Sequence, residues 1–291
     1  MKPLVSLLIP VYNSERYLCQ ALDSVEKQDY ENLEIIILDD GSTDSSFSIV
    51  SEYKERDTRI KVERRKNEGI GSGRNRLLSL SSGEFVFFMD SDDILSSSNL
   101  ISKLVQDIEL YKADVASAST VPFRNKVKIK RKVGIKVYSS HEFSSLMTKP
   151  FGFFCYSHSR LIRKSLFSSF SFPTDMIFED IPVMPWVIRE GNRVVYDSSV
   201  VYSYRINRKG LSHRPFSTSA LFEMDAYYFN LKKGKKEGEA KITLYSSIFF
   251  LTKYYYYFIK VLVKKLGIRD YLDKYRSLSK EAWSALFNGG K

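Results

Sequence analysis

The feature that most constrains the fold is a regular alternation of short apolar runs with longer amphipathic segments. The runs "LVSLLIP", "LEIIILDD", "IKVER", "GEFVFFMD" and "ADVASAST" are each too short for a helix, and turn-forming residues separate each run from the next segment. Between them lie segments such as "SERYLCQALDSVEKQ", in which apolar residues recur at helical spacing behind the capping candidate Ser14. Alternating strands and helices predict an α/β domain with an open, mostly parallel central sheet.

Carboxylates cluster at the ends of two of the predicted strands. Asp39 and Asp40 end one strand, and Asp90, Asp92 and Asp93 follow another in "VFFMDSDDIL". Aspartate is also a common turn residue, and turn chemistry explains either cluster alone more readily than both together. Ligands of open α/β sheets bind at the carboxyl ends of the strands. The sequence therefore predicts a ligand site at this edge.

Composition bounds the class of protein. With 291 residues, 43% of them hydrophobic, the chain can bury the core of one large domain, with or without an appendage. Cys19 and Cys155 are far apart and the three histidines are scattered, which argues against a disulfide framework or a zinc site and fits a reducing cytosol. We interpret the start, "PLVSLLIPVYN", as a first strand and not a signal peptide, because Pro10 and Asn13 interrupt it.

Positive charge is concentrated in two places. The formal net charge is +11, and residues 232–276 hold twelve Lys or Arg against four acids. Such a surplus predicts an anionic partner, for which nucleic acid, membrane lipid and a phosphorylated substrate all qualify. The segment "RNKVKIKRKVGIK", residues 124–136, alternates basic and apolar residues. It predicts an exposed β segment, most simply an edge strand protected by its lysines.

Four motifs in this order resemble the family-2 glycosyltransferases of GT-A fold, in particular the non-processive bacterial enzymes that build surface polysaccharides. They are "SLLIPVYNSERYLCQALDSVEKQ", "IIILDDGSTDSS", "NEGIGSGRN" and "FFMDSDD". The resemblance covers about residues 1–215 and implies a nucleotide-sugar donor, usually UDP-linked, a divalent cation and inversion at the anomeric carbon. The QxxRW signature of processive synthases is absent from the sequence, so we expect one sugar per encounter.

This resemblance suggests a domain division. Residues 1–215 would form a GT-A catalytic domain, with a nucleotide-sugar-binding half over about 1–95 and an acceptor half over 96–215. Residues 216–291 would form a helical, basic and aromatic C-terminal region.

The resemblance also assigns donor-binding residues. A sugar diphosphate leaves readily only when its charge is neutralised, and Mg²⁺ or Mn²⁺ held by carboxylates does this. Asp92 is implied as the direct metal ligand, and Asp90 as a contact to the ribose or to the metal and its waters. In the family, the carboxylate at position 40 accepts a hydrogen bond from the uracil imide. The implied substrate-binding residues are Pro10, Val11, Tyr12, Asp40, Asn67, Arg74, Asp90 and Ser91. The motif departs from the family at Gly73 and Arg76, where Ala and Gly are usual.

A second acidic pair, Glu179 and Asp180, resembles the family's ED motif. There the aspartate takes the proton from the acceptor hydroxyl, because a sugar hydroxyl is a poor nucleophile until it loses that proton. We therefore expect Asp180 to be the general base and Glu179 to orient it. The competing interpretation, a pair of acids favoured by the dipole at a helix start, can hold at the same time. Arg205, Ser212 and His213 follow in "VYSYRINRKGLSH", which resembles the loop that closes over the diphosphate in non-processive members. They could contact phosphate or metal there, but the simpler interpretation is that they are solvated loop residues.

Two alternatives to a hexosyl- or N-acetylhexosaminyltransferase remain. One is a catalytically inactive relative that binds nucleotide sugar or membrane as a scaffold, which intact Asp90, Asp92 and Asp180 disfavour. The other is a nucleic-acid-binding protein, but the sequence shows neither an RNA-binding aromatic motif nor the cysteine and histidine spacing of a zinc site. The basic, aromatic residues 242–276 predict a peripheral location on the inner face of the cytoplasmic membrane, where a saccharide or lipid-linked acceptor would be met. Packing of these helices against the catalytic domain is the competing interpretation.

Overall fold

The computed structural model describes residues 2–123, 134–149, 155–207, 216–264, 278–280, 282 and 284. The strands are β1 (Val5–Val11), β2 (Leu33–Asp39), β3 (Ile60–Arg64), β4 (Phe85–Phe88), β5 (Ile94–Leu95), β6 (Val115–Phe123), β7 (Ile135–Ser139), β8 (Arg160–Arg163) and β9 (Arg193–Arg205). The helices are α1 (Glu15–Glu26), α2 (Ser46–Arg56), α3 (Ile70–Leu80), α4 (Leu100–Tyr111), α5 (Ser140–Met147), α6 (Met184–Arg189), α7 (Phe216–Lys236) and α8 (Ala240–Lys264).

The strands of the described chain form one sheet. Its order is β3-β2-β1-β4-β8-β6-β9-β5, and β7 pairs with β9 outside this path. Neighbours run parallel from β3 to β4, and β6 is parallel to β9. The strand β8 is antiparallel to both β4 and β6, and β5 and β7 are antiparallel to β9. The α/β class with a central sheet is confirmed, and its parallel half coincides with the predicted strand–helix alternation.

The apolar runs form the central strands because both faces of those strands are covered. Every residue of β1 and β2 is buried, as expected for parallel strands with helices on the sheet faces. Leu18, Leu22 and Val25 of α1 belong to the same core cluster as Leu7 and Ile9 of β1. The helical spacing seen in the sequence is thus the spacing of the side chains that α1 buries.

The chain divides into two compact units. The first contains Met1–Ser140, Tyr156–Asp175 and Val187–Asn207, and it includes every strand of the sheet. The second contains His141–Cys155, Met176–Trp186 and Arg208–Lys291. The domain division made from the sequence stays a prediction.

Helices α7 and α8 belong to the second unit and contact each other. The rings of Tyr227 on α7 and Phe249 on α8 stack with their centroids 4.5 Å apart. Ile242, Phe250 and Leu251 of α8 are buried. Within the described chain, no helix is long and apolar enough to cross a bilayer. Phe249, Phe250 and Leu251, within the predicted membrane-associated segment 242–276, are therefore used at least in part for packing inside the second unit. Residues 265–276 lie outside the described residues.

The predicted basic β segment lies mostly outside the described residues, which omit 124–133. Its last two residues, Ile135 and Lys136, begin β7, and both are exposed. This part of the prediction agrees with an exposed strand.

Candidate active site

The carboxyl edge of β1, β2 and β4 brings the strand-end carboxylates to one side of the sheet. The amide of Asp40 donates to the carbonyl of Val11 at 2.8 Å, which holds the end of β2 against the end of β1. The amide of Met89 donates to the carbonyl of Leu8 at 3.0 Å, so the chain after β4 stays beside β1 until Asp90. Asp40 and Asp90 therefore leave the sheet on either side of β1.

Asp40 is buried and held by the loop that precedes α3. Arg65 donates through Nε to Asp40 Oδ1 at 2.7 Å, and the amide of Gly69 donates to Oδ2 at 2.9 Å. Gly69 has φ +86°, a conformation that favours glycine. The neighbouring Asp39 pairs instead with Arg64 at 3.0 Å. The carboxylate of Asp40 is thus fixed in direction as a hydrogen-bond acceptor.

The other predicted donor-binding residues of β1 and the loops differ in their exposure. Pro10 and Val11 are buried within β1, whereas Tyr12, just past its end, is 48% exposed. Asn67 is exposed in the loop before α3. Ser91 shares a hydrogen bond with Ser14, with 2.7 Å between their hydroxyl oxygens. Tyr12 and Asn67 thus present accessible side chains to solvent.

Arg74 and Asp90 form an ion pair at the same edge. Arg74 lies on α3, is buried, and donates through Nη2 to Asp90 Oδ1 at 3.1 Å. The Asp90 carboxylate keeps 29% of its side-chain surface exposed. A buried guanidinium beside a partly open carboxylate provides complementary charges for a ligand that carries both a cation and phosphates.

Asp92 is partly buried two residues further along. Asn207 donates through Nδ2 to Asp92 Oδ2 at 3.0 Å. Burial raises the pKa of the Asp92 carboxyl, and the nearby Asp90 carboxylate adds to the increase, although the Asn207 bond opposes it. The ionised form of Asp92 is therefore destabilised, and a bound cation would stabilise it.

Asp93 is the most buried carboxylate of this cluster, and it was not among the predicted site residues. It is fully buried, with the hydroxyl of Tyr202 donating to Oδ2 at 2.6 Å and the amide of Arg205 to Oδ1 at 2.7 Å. The amide of Asp90 also donates to the Tyr202 hydroxyl at 3.2 Å. Burial, followed by the charges of Asp90 and Asp92, raises the pKa of Asp93 well above its usual value. Tyr202 therefore connects Asp90 to Asp93.

His158 is the second residue that sequence reasoning did not single out. It forms a bridge to Phe88, and a ring nitrogen lies within 4.8 Å of carboxylate oxygens of both Asp90 and Asp93. Burial lowers the pKa of His158 to about 4, so the ring is neutral near pH 7. No sequence pattern links position 158 to position 90, and only the sheet brings them together.

Arg205 supports the same loop. Its Nε donates to the carbonyl of Asp92 at 2.6 Å, and its Nη2 donates to Gln20 at 2.8 Å. These contacts make it part of the framework of the cluster. Ser212 and His213, named with it in the sequence, lie outside the described residues.

Glu179 and Asp180 lie in the second unit and are buried there. The carbonyl of Asp180 accepts hydrogen bonds from the amides of Val183 and Met184, at 3.1 and 2.8 Å. The pair therefore precedes the first turn of α6, where acids interact well with the helix dipole. Their chemical role stays a prediction.

An α/β sheet with carboxylates and a buried guanidinium at its carboxyl edge has charged side chains where the ligands of open α/β sheets bind. The sequence profile described as "Glycosyl transferase family 2" matches residues 6–170, more than half of the chain. The chain belongs to this family.

Relatives and a solved structure agree with this membership. The chain is 31% identical to glycosyltransferase GlyA of Streptococcus pneumoniae serotype 4 over 225 residues, which cover 72% of this chain but 31% of GlyA. It is 29% identical to the uncharacterized glycosyltransferase EpsJ of Bacillus subtilis strain 168, over 84% of this chain and 71% of EpsJ. The structure of Staphylococcus aureus TarS 1–349 in complex with UDP-GlcNAc superposes with a TM-score of 0.69 at 21% identity, covering 87% of this chain and 72% of the TarS chain. That likeness shows the GT-A fold.

Proposed function

We propose that this protein is an inverting glycosyltransferase that moves one sugar from a UDP-sugar to a hydroxyl of a saccharide or lipid-linked acceptor. The observation that carries the proposal is the gathering of Asp40, Arg74 and Asp90 at the carboxyl edge of one parallel sheet. A UDP-sugar needs a hydrogen-bond acceptor for its uracil ring, positive charge for its diphosphate and carboxylates that hold a cation. This edge of the sheet offers each of them.

The uridine end of the donor would lie at Asp40. Uracil presents an imide N–H, and a carboxylate fixed as an acceptor matches it. The contacts from Arg65 and Gly69 fix Asp40 in direction, and the Glu68 amide adds a longer hydrogen bond shared by both oxygens at 3.3 Å. Three N–H donors leave about one of the four acceptor sites of the carboxylate for the imide. Tyr12 and Asn67 would supply exposed side chains to the base, and Pro10 and Val11 at the end of β1 would frame it. The TarS complex with UDP-GlcNAc supports this donor class.

A divalent cation would be held by Asp92 and Asp90. The residues fit the ion, because the carboxylates of this loop are crowded, the pKa of Asp92 is raised, and the nearby His158 has buried ring nitrogens that no described residue satisfies. When bound, Mg²⁺ or Mn²⁺ supplies the positive charge that stabilises the departing diphosphate. Arg74, held at this edge by its ion pair with Asp90, would add a second positive charge beside the diphosphate.

The proton of the acceptor hydroxyl would pass to Asp180. The hydroxyl oxygen then forms a bond to the anomeric carbon while the bond to the diphosphate breaks, which inverts that carbon. Glu179, adjacent and buried, would orient the base. A hexosyl or N-acetylhexosaminyl group is the expected cargo.

The acceptor would be met at the inner face of the cytoplasmic membrane during surface polysaccharide synthesis. In the second unit, Phe229 and Tyr255 are exposed at 47% and 44%, and the exposed Lys232 and Lys236 accompany Phe229 on α7. Aromatic and basic side chains together favour an anionic lipid surface. This supports a peripheral location.

A thermal-shift panel tests the donor assignment. UDP, GDP, CMP and dTDP sugars are each added with and without Mn²⁺, and a ligand selective for the folded state raises the melting temperature. We expect the largest increase with UDP-sugars plus Mn²⁺, and loss of that increase in Asp40→Ala. Asp29→Ala, an exposed carboxylate variant, is the matched control and should retain it.

Two results would contradict the proposal. A larger shift with GDP or CMP sugars would remove the uridine assignment. Tight UDP-sugar binding without transfer or hydrolysis under any acceptor condition would favour the inactive scaffold.

A further inference from the structure

His158 has two buried polar atoms that nothing in the described structure satisfies. The residue is 2% exposed, and within the described residues neither Nδ1 nor Nε2 has a hydrogen-bond partner. A buried polar atom without a partner costs about 1–3 kcal/mol, so such atoms in folded proteins usually meet a water, an ion or a ligand. The ring of His158 therefore indicates a bound species beside it.

The orientation of this ring is fixed by stacking against aromatic side chains. It stacks on Tyr202 with centroids 4.8 Å apart and an interplanar angle of 8°, and on Tyr156 at 4.8 Å and 25°. Tyr204 stacks against the same ring at 5.5 Å. The imidazole edge consequently cannot rotate out of the plane of this aromatic stack, and its nitrogens keep their direction.

That edge lies beside the carboxylates at the end of β4. One ring nitrogen of His158 and one oxygen each of Asp90 and Asp93 all lie within 4.8 Å of one another. Ligands about 2.1 Å from an octahedral ion are about 3 Å apart when adjacent and about 4.2 Å apart when opposite. Side-chain movements of an ångström or less would close the three atoms around one cation.

Both carboxylates can still accept such an ion. Asp93 receives one hydrogen bond on each oxygen, from Tyr202 and the amide of Arg205, and each carboxylate oxygen has a second lone pair. Asp90 receives one bond from Arg74 and stays partly open. The hydrogen bonds from Tyr202 and Arg205, which would not contact the ion themselves, would then hold the Asp93 carboxylate in position as a ligand.

We propose that His158 is a nitrogen ligand of the divalent cation at Asp90, with Asp93 as an additional oxygen ligand, and that this nitrogen makes the site prefer first-row transition dications over Mg²⁺. This inference rests on the proposed cation-dependent function. Imidazole is a common ligand of transition metals, whereas Mg²⁺ favours oxygen and water. A site of carboxylates alone would not discriminate in this way.

Electron spin-echo spectroscopy of bound Mn²⁺ tests the proposal on the full chain with UDP present. A ¹⁴N imidazole coupling to Mn²⁺ is expected, and it should change when histidine is labelled with ¹⁵N. The chain has three histidines, so the double variant His141→Gln/His213→Gln leaves His158 as the sole source of this signal. We expect the coupling to persist there and to disappear in His158→Phe, which keeps an aromatic ring in the stack.

Metal affinity gives a second readout. His158→Phe should weaken Mn²⁺ binding by roughly 10–100-fold, the range for changes around a metal site, while Mg²⁺ binding changes by less than about threefold. If His158→Phe does not fold, the double variant still decides the assignment. Mn²⁺ that binds with UDP but shows no histidine coupling overturns this inference and leaves the proposed function standing. Absence of any Mn²⁺ binding overturns both.

Discussion

At the residue scale, the loop after β4 shows how one fold keeps several carboxylates together. Tyr202 accepts a hydrogen bond from the amide of Asp90 and donates one to Asp93. Asn207 and Arg205 hold Asp92 from the other side, through its carboxylate and its carbonyl. Burial, followed by the charges of Asp90 and Asp92, raises the pKa of Asp93, so positive charge brought to this loop would stabilise its carboxylates.

The assignment of the general base is tested by Asp180→Asn. This change keeps the shape of the side chain and removes its basicity, so turnover should decrease by roughly 10²–10⁴-fold. Donor affinity, measured by calorimetry, should stay nearly constant. Glu179→Gln is the matched control, and a far larger loss of turnover in that variant would reverse the two assignments.

At the element scale, α3 contains two glycines with opposite surroundings. A Cβ built on Gly73 would lie 3.7 Å from Leu38 Cδ2 and 3.8 Å from Arg65 Nη2, which are ordinary contacts. Gly73→Ala should therefore stabilise the protein by about 0.5–1 kcal/mol, because alanine loses less backbone entropy in a helix. Urea unfolding measures this gain.

Gly71→Ala is the contrasting variant in the same helix. Its Cβ would lie 1.9 Å from the carbonyl oxygen of Pro173, so α3 or the Pro173 loop must shift. We expect this variant to be less stable than the wild type. Equal stabilisation by both substitutions would mean that α3 does not pack against Pro173 as described.

A second element-scale prediction concerns Asp107 on α4 and Asp197 on β9, both buried. Burial, followed by the Asp197 charge, raises the pKa of Asp107 from 3.8 to about 6, and Lys103 opposes this. Between those pH values the folded state binds more protons than the unfolded state, so stability decreases as pH increases through about 6.

The variant Asp107→Asn removes this dependence. It should raise the free energy of unfolding on the order of 1–3 kcal/mol at pH 8 and have little effect near pH 4, as measured by urea unfolding at both pH values. Asp29→Asn, at an exposed carboxylate, is the control for loss of charge alone. An equal gain at pH 4 and pH 8 would show that the pKa of Asp107 is not raised in the folded state.

The sequence predicted the parallel half of the sheet because its strands are continuous apolar runs separated by clear helical patterns. It also named Asp40, Arg74 and Asp90, which lie in local motifs and which the structure brings to the carboxyl edge of the sheet, while their roles stay predictions. It missed Tyr202 and His158 because their roles depend on contacts with residues 65 to 112 positions away. Neither side chain stands out locally, since a tyrosine within a strand and a histidine among serines are both ordinary core patterns.

At the scale of the whole molecule, the basic C-terminal helices predict a reversible association with anionic membranes. The full chain should float with liposomes containing anionic lipid at low salt and be released by high salt, which screens the attraction. Neutral liposomes provide the lipid control. Failure to float at low salt would favour the packing of α7 and α8 as the whole role of this region.

The central claim is that the cluster at residues 90–93 binds a cation required for sugar transfer. The most direct measurement is UDP release from a UDP-sugar, by the wild type and by Asp92→Ala, at matched Mn²⁺ concentrations and in excess EDTA. We predict turnover with Mn²⁺, none above background in EDTA, and none in Asp92→Ala although that variant unfolds at a similar temperature. Full turnover in EDTA, or an active Asp92→Ala enzyme, would contradict the account.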